Sequence, residues 1–524
     1  MIDQKSTILD LLVKVVYDDE FDKIAFEILK KKNKICIPNM EILRVYRELI
    51  QEGILKEDDR VMTMLRKQRA RSISGISAIT ILTKPYYCPG ECVYCPTEAR
   101  MPKSYLSDEP AVMRAVLNHW DAKKQVDTRI KALNMMGHPT SKCEMIILGG
   151  TFSVYDKTYM DQYILEMYNA LNKEESKDLI EAQSKNEFAE DRAVGLSIET
   201  RPDYVDVDEI IRLRKYGVTK VEMGVQSLND AVLDLTKRGH KVSEVRRATK
   251  LLKDAGVKIH YHMMPSLPGS STKEDIQMFE DLFSDEDFKP DMLKIYPCVV
   301  THHSELAQWE KDGKYKSPTD EEVINMLMEV KQKVPFYCRI MRLGRDIPAN
   351  DILSGNRITN IREVVRDRMK EKKIQCVCQR CREVGFNTTV INNVVLFRFD
   401  FDSSGGREVY LEYRDEHTEV LLAFLRLRIP SQYFTKEKHF IPALDNCAII
   451  REVHTYGFAL KVATQNKTAT QHKGYGKLLI NEAIHIAKEE FILNKIAVIS
   501  GIGVRDYYRQ QGFELKDTYM VKTI

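Results

Sequence analysis

The sequence predicts an α/β protein in three parts: a helical N-terminal segment, a partial (β/α)6 barrel, and a smaller α/β domain behind it. Three observations carry this expectation. From residue 76 to 345 short apolar runs alternate with longer helical stretches, the repeat that builds a parallel sheet with helices outside. From 391 to 524 strand-like runs follow one another and close on a helix and a further strand. The 524 residues also exceed what one ordinary domain holds. With 43% hydrophobic and 30% charged residues, the chain can bury a large core and stay in solution. No apolar run reaches the roughly 18 residues of a membrane span, and Met1-Ile2-Asp3-Gln4-Lys5 has no feature of an export signal. A cytoplasmic location without membrane partners is expected. Eleven cysteines in such a chain point to metal binding, not to a disulfide framework.

Residues 1–75 read as helical. Leu9, Leu12, Val13 and Val16, then Ile24, Phe26, Ile28 and Leu29, sit at mixed helical spacing, and Pro38-Asn39 opens a second helix. Arg60, Arg66, Lys67, Arg69 and Arg71 follow with no acid between Arg60 and Arg71. Two readings stand: a solvated helix face, or an arm that binds phosphates.

The barrel strands are expected at Ile76–Thr83, Met145–Phe152, Val194–Thr200, Lys220–Gln226, Val257–Met264 and Met292–Pro297, with helices such as Met113–Leu133 between them. Directly after the first strand comes Cys88-Pro89-Gly90-Glu91-Cys92-Val93-Tyr94-Cys95. Protein [4Fe-4S] clusters usually take four cysteines. A loop offering three in C-x3-C-x2-C spacing leaves one iron open, and in radical S-adenosylmethionine (SAM) enzymes SAM itself takes that position. The alternative is half of a zinc site, but no second C-x2-C follows within the next hundred residues. Barrel chemistry sits at the C-terminal ends of the strands, where this loop lies. The other strand ends carry Gly149-Gly150, Glu199, Gln226, and His260 with His262. The glycine pair lets a ligand approach the backbone closely, which makes it a candidate for the amino group of SAM, with Glu199 and Gln226 beside it.

Residues 331–382 form a basic bridge of 14 Lys/Arg against five Asp/Glu, a surplus of nine in a chain whose net charge is +3. Such a local excess is the electrostatic footprint of a polyanion site. Inside it Cys376, Cys378 and Cys381 are spaced to ligate a structural zinc, with no fourth ligand evident. The stretch 346–390 is therefore expected to be a basic, zinc-binding linker.

The last part, 391–524, has strand-like runs at Asn393–Phe401, Val409–Tyr413, Val420–Ile429 and Ala448–Tyr456. Gln471-His472-Lys473-Gly474-Tyr475-Gly476 then opens a helix, where free backbone N–H groups and the helix dipole suit a pyrophosphate. A strand at Lys495–Ser500 and Tyr507-Tyr508-Arg509-Gln510-Gln511-Gly512-Phe513 complete the domain. This order resembles the GNAT acetyltransferases, in which the loop holds the acetyl-CoA pyrophosphate and a tyrosine at the position of Tyr508 lies near the thioester.

A radical-SAM barrel joined to a GNAT domain resembles the family of the Elongator catalytic subunit over nearly the whole chain. Met145 to Phe152, Ser197 to Asp203, Gly224 to Ser227, Arg345 to Pro348, Arg382 to Gly385 and Ile499 to Tyr508 strengthen the likeness. The resemblance implies a tRNA wobble-uridine modifying enzyme that makes 5-carboxymethyluridine from SAM radical chemistry and acetyl-CoA. It implies that Cys88, Cys92 and Cys95 hold the cluster. It also implies that Lys142, Glu452, Val453, His454, Thr455, Tyr475, Gly476, Lys477 and Tyr508 contact acetyl-CoA. His260, His262 and Tyr508 are the candidate proton-handling groups. The expected partners are the tRNA anticodon stem-loop, an external electron donor, and a second copy or a larger complex. The rival reading is a protein lysine acetyltransferase whose iron–sulfur domain is structural.

Overall fold

The computed structural model describes residues 2–16, 26, 30–31, 37–65, 75–387, 391–456 and 474–524. Arg66, Lys67, Arg69 and Arg71, Ile24, Ile28 and Leu29, Cys36, and Gln471 to Lys473 lie outside them. The strands in chain order are β1 (Ser77–Leu82), β2 (Lys142–Leu148), β3 (Arg192–Thr200), β4 (Lys220–Gln226), β5 (Lys258–Met263), β6 (Met292–Ile295), β7 (Val300–Thr301), β8 (Arg339–Leu343) and β9 (Ile352–Ser354). Seven of them form one parallel sheet in the order β1-β2-β3-β4-β5-β6-β8, while β7 and β9 make a small antiparallel ribbon. The sheet is a curled half-barrel whose edge strands are β1 and β8.

Alternation explains the two faces of this sheet. In β2 Cys143, Met145 and Ile147 are buried against the helices, and Lys142 and Glu144 take the other face. The helices between strands are amphipathic and capped: Ser271 and Glu274 close a capping box on Thr272–Ser284, and Thr319 and Glu322 do the same on Asp320–Lys333. The expected helix Met113–Leu133 is two helices, Pro110–Leu117 and Ala122–Met135, broken where His119 and Trp120 turn to positive φ. Strand β8 lies inside the basic bridge; Arg339 and Arg342 hid its apolar residues from a hydrophobic count.

The second sheet contains β10 (Val394–Ser403), β11 (Gly406–Asp415), β12 (Leu421–Ile429), β13 (Ala448–Thr455), β14 (Lys495–Val498), β15 (Glu514–Lys516) and β16 (Tyr519–Thr523), ordered β10-β11-β12-β13-β14-β16-β15. All its pairs are antiparallel except β13 with β14. The helices Ile2–Val16, Asn39–Gln51 and Asp59–Leu65 share a small separate core around Leu12, Leu43 and Tyr46.

The second sheet docks on the N-terminal end of the barrel. Gly501 and Gly503 make the close approach possible, since a Cβ at 501 would lie 2.1 Å from the Val194 carbonyl oxygen and one at 503 would lie 2.4 Å from Arg192 Cβ. Buried ion pairs cross the same interface: Arg451 with Asp291 at 2.6 Å and Arg428 with Asp254 at 2.7 Å. No helix among the described residues is long and apolar enough to cross a membrane.

Candidate active site

The loop after β1 brings Cys88, Cys92 and Cys95 to the C-terminal mouth of the barrel. Cys92 is buried and the other two are partly covered. Burial, then Cys92, pushes the Cys95 thiol up to about 12. Arg238 Nη1 lies 3.6 Å from Cys92 Sγ. Arg201 packs under the loop, where a Cβ on Gly90 would lie 2.4 Å from its Nη1. Arg201 Nη1 and Arg238 Nε are buried and have no hydrogen-bond partner. Buried donors are rarely left so, and unpaired guanidinium N–H groups beside thiols fit an anionic group held by the loop. The three sulfurs do not all come within 4.8 Å of one another, as those of Cys376, Cys378 and Cys381 do. The wider set fits a multi-iron cluster, and the tighter one fits a single ion.

Below the loop a cavity of about 580 Å³ opens at the C-terminal strand ends. Cys95, Glu199, Gln226, His262, Lys294 and Arg345 line it. Glu199 Oε2 accepts a hydrogen bond from Tyr105 Oη at 2.6 Å, and its Oε1 is 3.4 Å from His262 Nδ1. His262 Nε2 stands 3.0 Å from Glu222. Burial, with Lys294 beside it, lowers His262 to about 4, so its neutral form prevails at pH 7. His260 lies one layer deeper and lines neither this cavity nor the one below. Both of its ring nitrogens are buried without a hydrogen-bond partner. Gln226 holds φ at +70° and leaves Oε1 unpaired, a strained backbone at the cavity wall.

Gly149 and Gly150 take φ of 137° and 92°, and a Cβ at 149 would lie 2.0 Å from Thr83 Oγ1. Gly149→Ala is therefore expected to cost at least about 1–3 kcal/mol from backbone strain alone. The check is a thermal melt, in which Gly53→Ala, at a positive φ with open space around it, should lower the midpoint less.

A second cavity of about 530 Å³ lies where β13 and β14 part. The two strands pair only from Ala448–Ile450 to Ile496–Val498. Beyond that β14 ends while β13 continues, so Glu452, Val453 and His454 lie past the pairing with β14 and line the cavity together with Thr455. Gly476 and Lys477, in the first turn of the helix Tyr475–His485, and Tyr508 complete that wall. Lys142 and Lys258 enter from the barrel side. The Tyr475 ring instead packs on Tyr413 at 4.6 Å, so this residue offers the cavity its place at the helix start. A splayed backbone edge, a helix N-terminus and three lysines suit a phosphate-bearing ligand with an extended arm.

The cysteine loop and the splayed strands open on separate cavities, toward the two ends of the barrel, whose linings adjoin at the start of β1: Ser77, Ala78 and Thr80 line the first and Ile76 the second. His262 and Tyr508 fall in different cavities. The basic bridge is also less free than its charge implies. Arg382 pairs with buried Glu412, Arg339 with Glu383, Arg368 with Glu321 and Lys333 with Glu280. Lys370, Lys372 and Lys373 remain exposed. Cys376, Cys378 and Cys381 converge as a set of three. Cys143, Cys298 and Cys447 are separate buried thiols, and buried Cys338 is close enough to Cys378 for their charges to interact.

Sequence reasoning missed the charged residues on the inner face of the barrel: Glu144, Lys220, Glu222, Lys258 and Lys294. Their signal was available as charge at every second strand position, in Lys142-x-Glu144, Lys220-x-Glu222 and Lys258-x-His260-x-His262.

A curled parallel sheet with a three-cysteine loop over its C-terminal mouth defines a radical SAM protein, and the radical SAM superfamily model matches residues 83–282, with the radical SAM C-terminal domain at 290–371. The chain is 40% identical over its full length to a tRNA uridine(34) acetyltransferase of Methanocaldococcus jannaschii, covering 99% of that protein. The chain belongs to the family of tRNA uridine(34) acetyltransferases and Elongator complex protein 3. Human Elongator complex protein 3 is 37% identical over 88% of this chain and 87% of its own. The solved archaeal Elp3 of Methanocaldococcus infernus, lacking its N-terminus, superposes with a TM-score of 0.77 at 39% identity, covering 86% of this chain and all of that one.

Proposed function

We propose that this protein modifies the wobble uridine of tRNA, using SAM and acetyl-CoA to form 5-carboxymethyluridine. The observation that supports this reading best is the pair of cavities whose linings adjoin at the start of β1. One lies under a three-cysteine loop and the other at a splayed strand edge. The chain that holds them matches a tRNA uridine(34) acetyltransferase from end to end.

Cys88, Cys92 and Cys95 would hold a [4Fe-4S] cluster, and Gly149, Gly150, Glu199 and Gln226 would seat SAM beside it. Cluster and SAM together supply a carbon-centred radical able to take hydrogen from an unactivated carbon. The chain's own residues do the rest. Lys142, Lys258 and Lys477 would neutralise CoA phosphates, and the edge from Glu452 to His454, with Thr455 beside it, would meet the pantetheine amides. Tyr508 sits at that cavity as a candidate donor. His262, neutral at pH 7 and fixed between Glu199 and Glu222, can take a proton at a ring nitrogen. Cys376, Cys378 and Cys381 would hold a zinc ion that stiffens the segment after β8.

The test is anaerobic reconstitution of the full chain with iron, sulfide, a reductant, tRNA, SAM and methyl-deuterated acetyl-CoA. Mass spectrometry should show 5-carboxymethyluridine at position 34 and deuterium in the recovered 5′-deoxyadenosine. Unmodified tRNA overturns the function, and product without deuterium transfer overturns the assigned hydrogen donor. Arg66, Lys67, Arg69 and Arg71 are part of the same proposal as a phosphate-binding arm. Neutralising all four should weaken tRNA binding and flatten its salt dependence, by about 0.7–0.9 in log–log slope for every phosphate they neutralise in the wild type. Unchanged binding across a salt series returns the arm to a solvated face.

A further inference from the structure

The inner face of the barrel carries charge from end to end, and its charged centre, Glu144, Lys220 and Glu222, lines neither cavity. At the N-terminal end Lys258 lines the CoA-type cavity and reaches Glu452 at 3.4 Å. Lys258 and Glu144 also act on each other's charge. Glu144 accepts a hydrogen bond from Lys220 Nζ at 2.5 Å, and Lys220 lies 3.9 Å from Glu222. Glu222 then accepts from Ser197 Oγ at 3.2 Å, meets His262 at 3.0 Å and pairs directly with Lys294. His262 and Lys294 line the cavity under the cysteine loop. Lys220 and Glu222 are buried and line neither cavity.

The order of charges matters. Along the axis they alternate in sign: Glu452, Lys258, Glu144, Lys220, Glu222, then Lys294, with neutral His262 beside it. Each step is a contact between side chains or a direct electrostatic interaction in a low-dielectric interior, where charges are poorly screened. Glu222 with His260 and His262 is also tight enough to hold a cation. Lys294 and Lys220 already neutralise Glu222, so a cation there would have to displace a paired ammonium, and we assign none.

We propose that Glu144, Lys220 and Glu222 are positioning residues that couple the two cavities, so that a ligand at the splayed strands changes the affinity of the cavity under the cysteine loop. The proposal rests on the assignment of CoA and SAM to those cavities. A ligand phosphate or thioester near Lys258 draws that ammonium from Glu144, which frees Glu144 to hold Lys220 more tightly. Glu222 then shifts its share of charge toward Lys294 and His262. Because coupling is a free energy between sites, it must be reciprocal.

The test is titration calorimetry on the anaerobically reconstituted full chain, with CoA and SAM as the probes. CoA is expected to change the SAM dissociation constant by about fivefold or more, and SAM to change that of CoA by the same factor. In Lys220→Met the factor should fall below about twofold, while each ligand alone still binds. Glu144→Gln keeps an acceptor for Lys220 and removes the charge; it should give the same loss of coupling with less effect on folding. It thus carries the test if Lys220→Met does not fold. Both ligands binding to the wild type without mutual effect, or full coupling retained in the variant that folds, overturns the coupling and leaves the proposed function standing. Failure of the wild type to bind CoA or SAM at all overturns the proposed function, and the coupling with it.

Discussion

Replacing Cys92 with alanine is expected to abolish tRNA modification while leaving the cavity at the splayed strands intact. Cys92 is the buried member of the triad, with Arg238 Nη1 3.6 Å from its sulfur. Its removal would leave two thiols for the proposed cluster, which needs at least three. The expected loss exceeds about 10³-fold in rate, equivalent to more than about 4 kcal/mol of transition-state stabilisation. Iron content and the cluster's visible absorbance should fall together with activity. The cavity at the splayed strands, proposed above for CoA, shares no lining residue with the cysteine loop. The affinity for CoA alone should therefore stay within about twofold, a difference below about 0.5 kcal/mol. The experiment also separates the two enzymatic readings. A folded Cys92→Ala protein that keeps its reaction would make the cluster structural and favour a lysine acetyltransferase.

The residues most legible in the sequence were those whose chemistry depends on local spacing. C-x3-C-x2-C fixes three thiols on one loop whatever the rest of the chain does. Lys220–Gln226 was placed as a strand with both ends correct, because it sits buried between neighbours and turns bound it. Long-range geometry was illegible for a physical reason. Whether Tyr508 and His262 share a cavity depends on which end of the barrel the second sheet docks against. That is decided by Gly501 and Gly503 against β3 and by arginines pairing across nearly two hundred residues. The inner charges of the barrel were passed over because an isolated lysine or glutamate in a strand reads as solvent-facing. Only the curl of the sheet turns that face into a core. The surplus charge of the basic bridge misled in the opposite direction. Arg339 and Arg382 face acids on other elements, so local charge counted them as free when the fold had paired them.

Asp291 carries the interface between the barrel and the second sheet, and Asp291→Asn should be among the most destabilising single changes in the chain. Its Oδ2 accepts hydrogen bonds from Arg451 Nη2 at 2.6 Å and from the Ile259 backbone N–H at 2.8 Å, with Arg451 Nη1 3.1 Å from Oδ1. Arg426 adds a second guanidinium at 3.6 Å. Asparagine keeps the shape but leaves two buried arginines with less counter-charge, a situation that costs about 3–5 kcal/mol when a buried pair is broken. The loss should appear as a lower denaturation midpoint and as faster hydrogen exchange in β13, while amides of the N-terminal helices stay unchanged. Pairing it with Arg451→Met should cost less than the sum of the two single changes, because each single change strands a charge that the double change removes. Acid should reveal the same group. Burial alone would raise the Asp291 carboxyl, but Arg451, Arg426 and Lys253 outweigh it and hold it well below the usual range. Its contribution is thus complete above the unfolded value near 4 and is lost as pH falls through the folded value. The wild type should lose stability below about pH 4 more steeply than Asp291→Asn, which has no carboxyl there to protonate. Parallel acid profiles for the two proteins would show that the interface is held by packing and not by this charge.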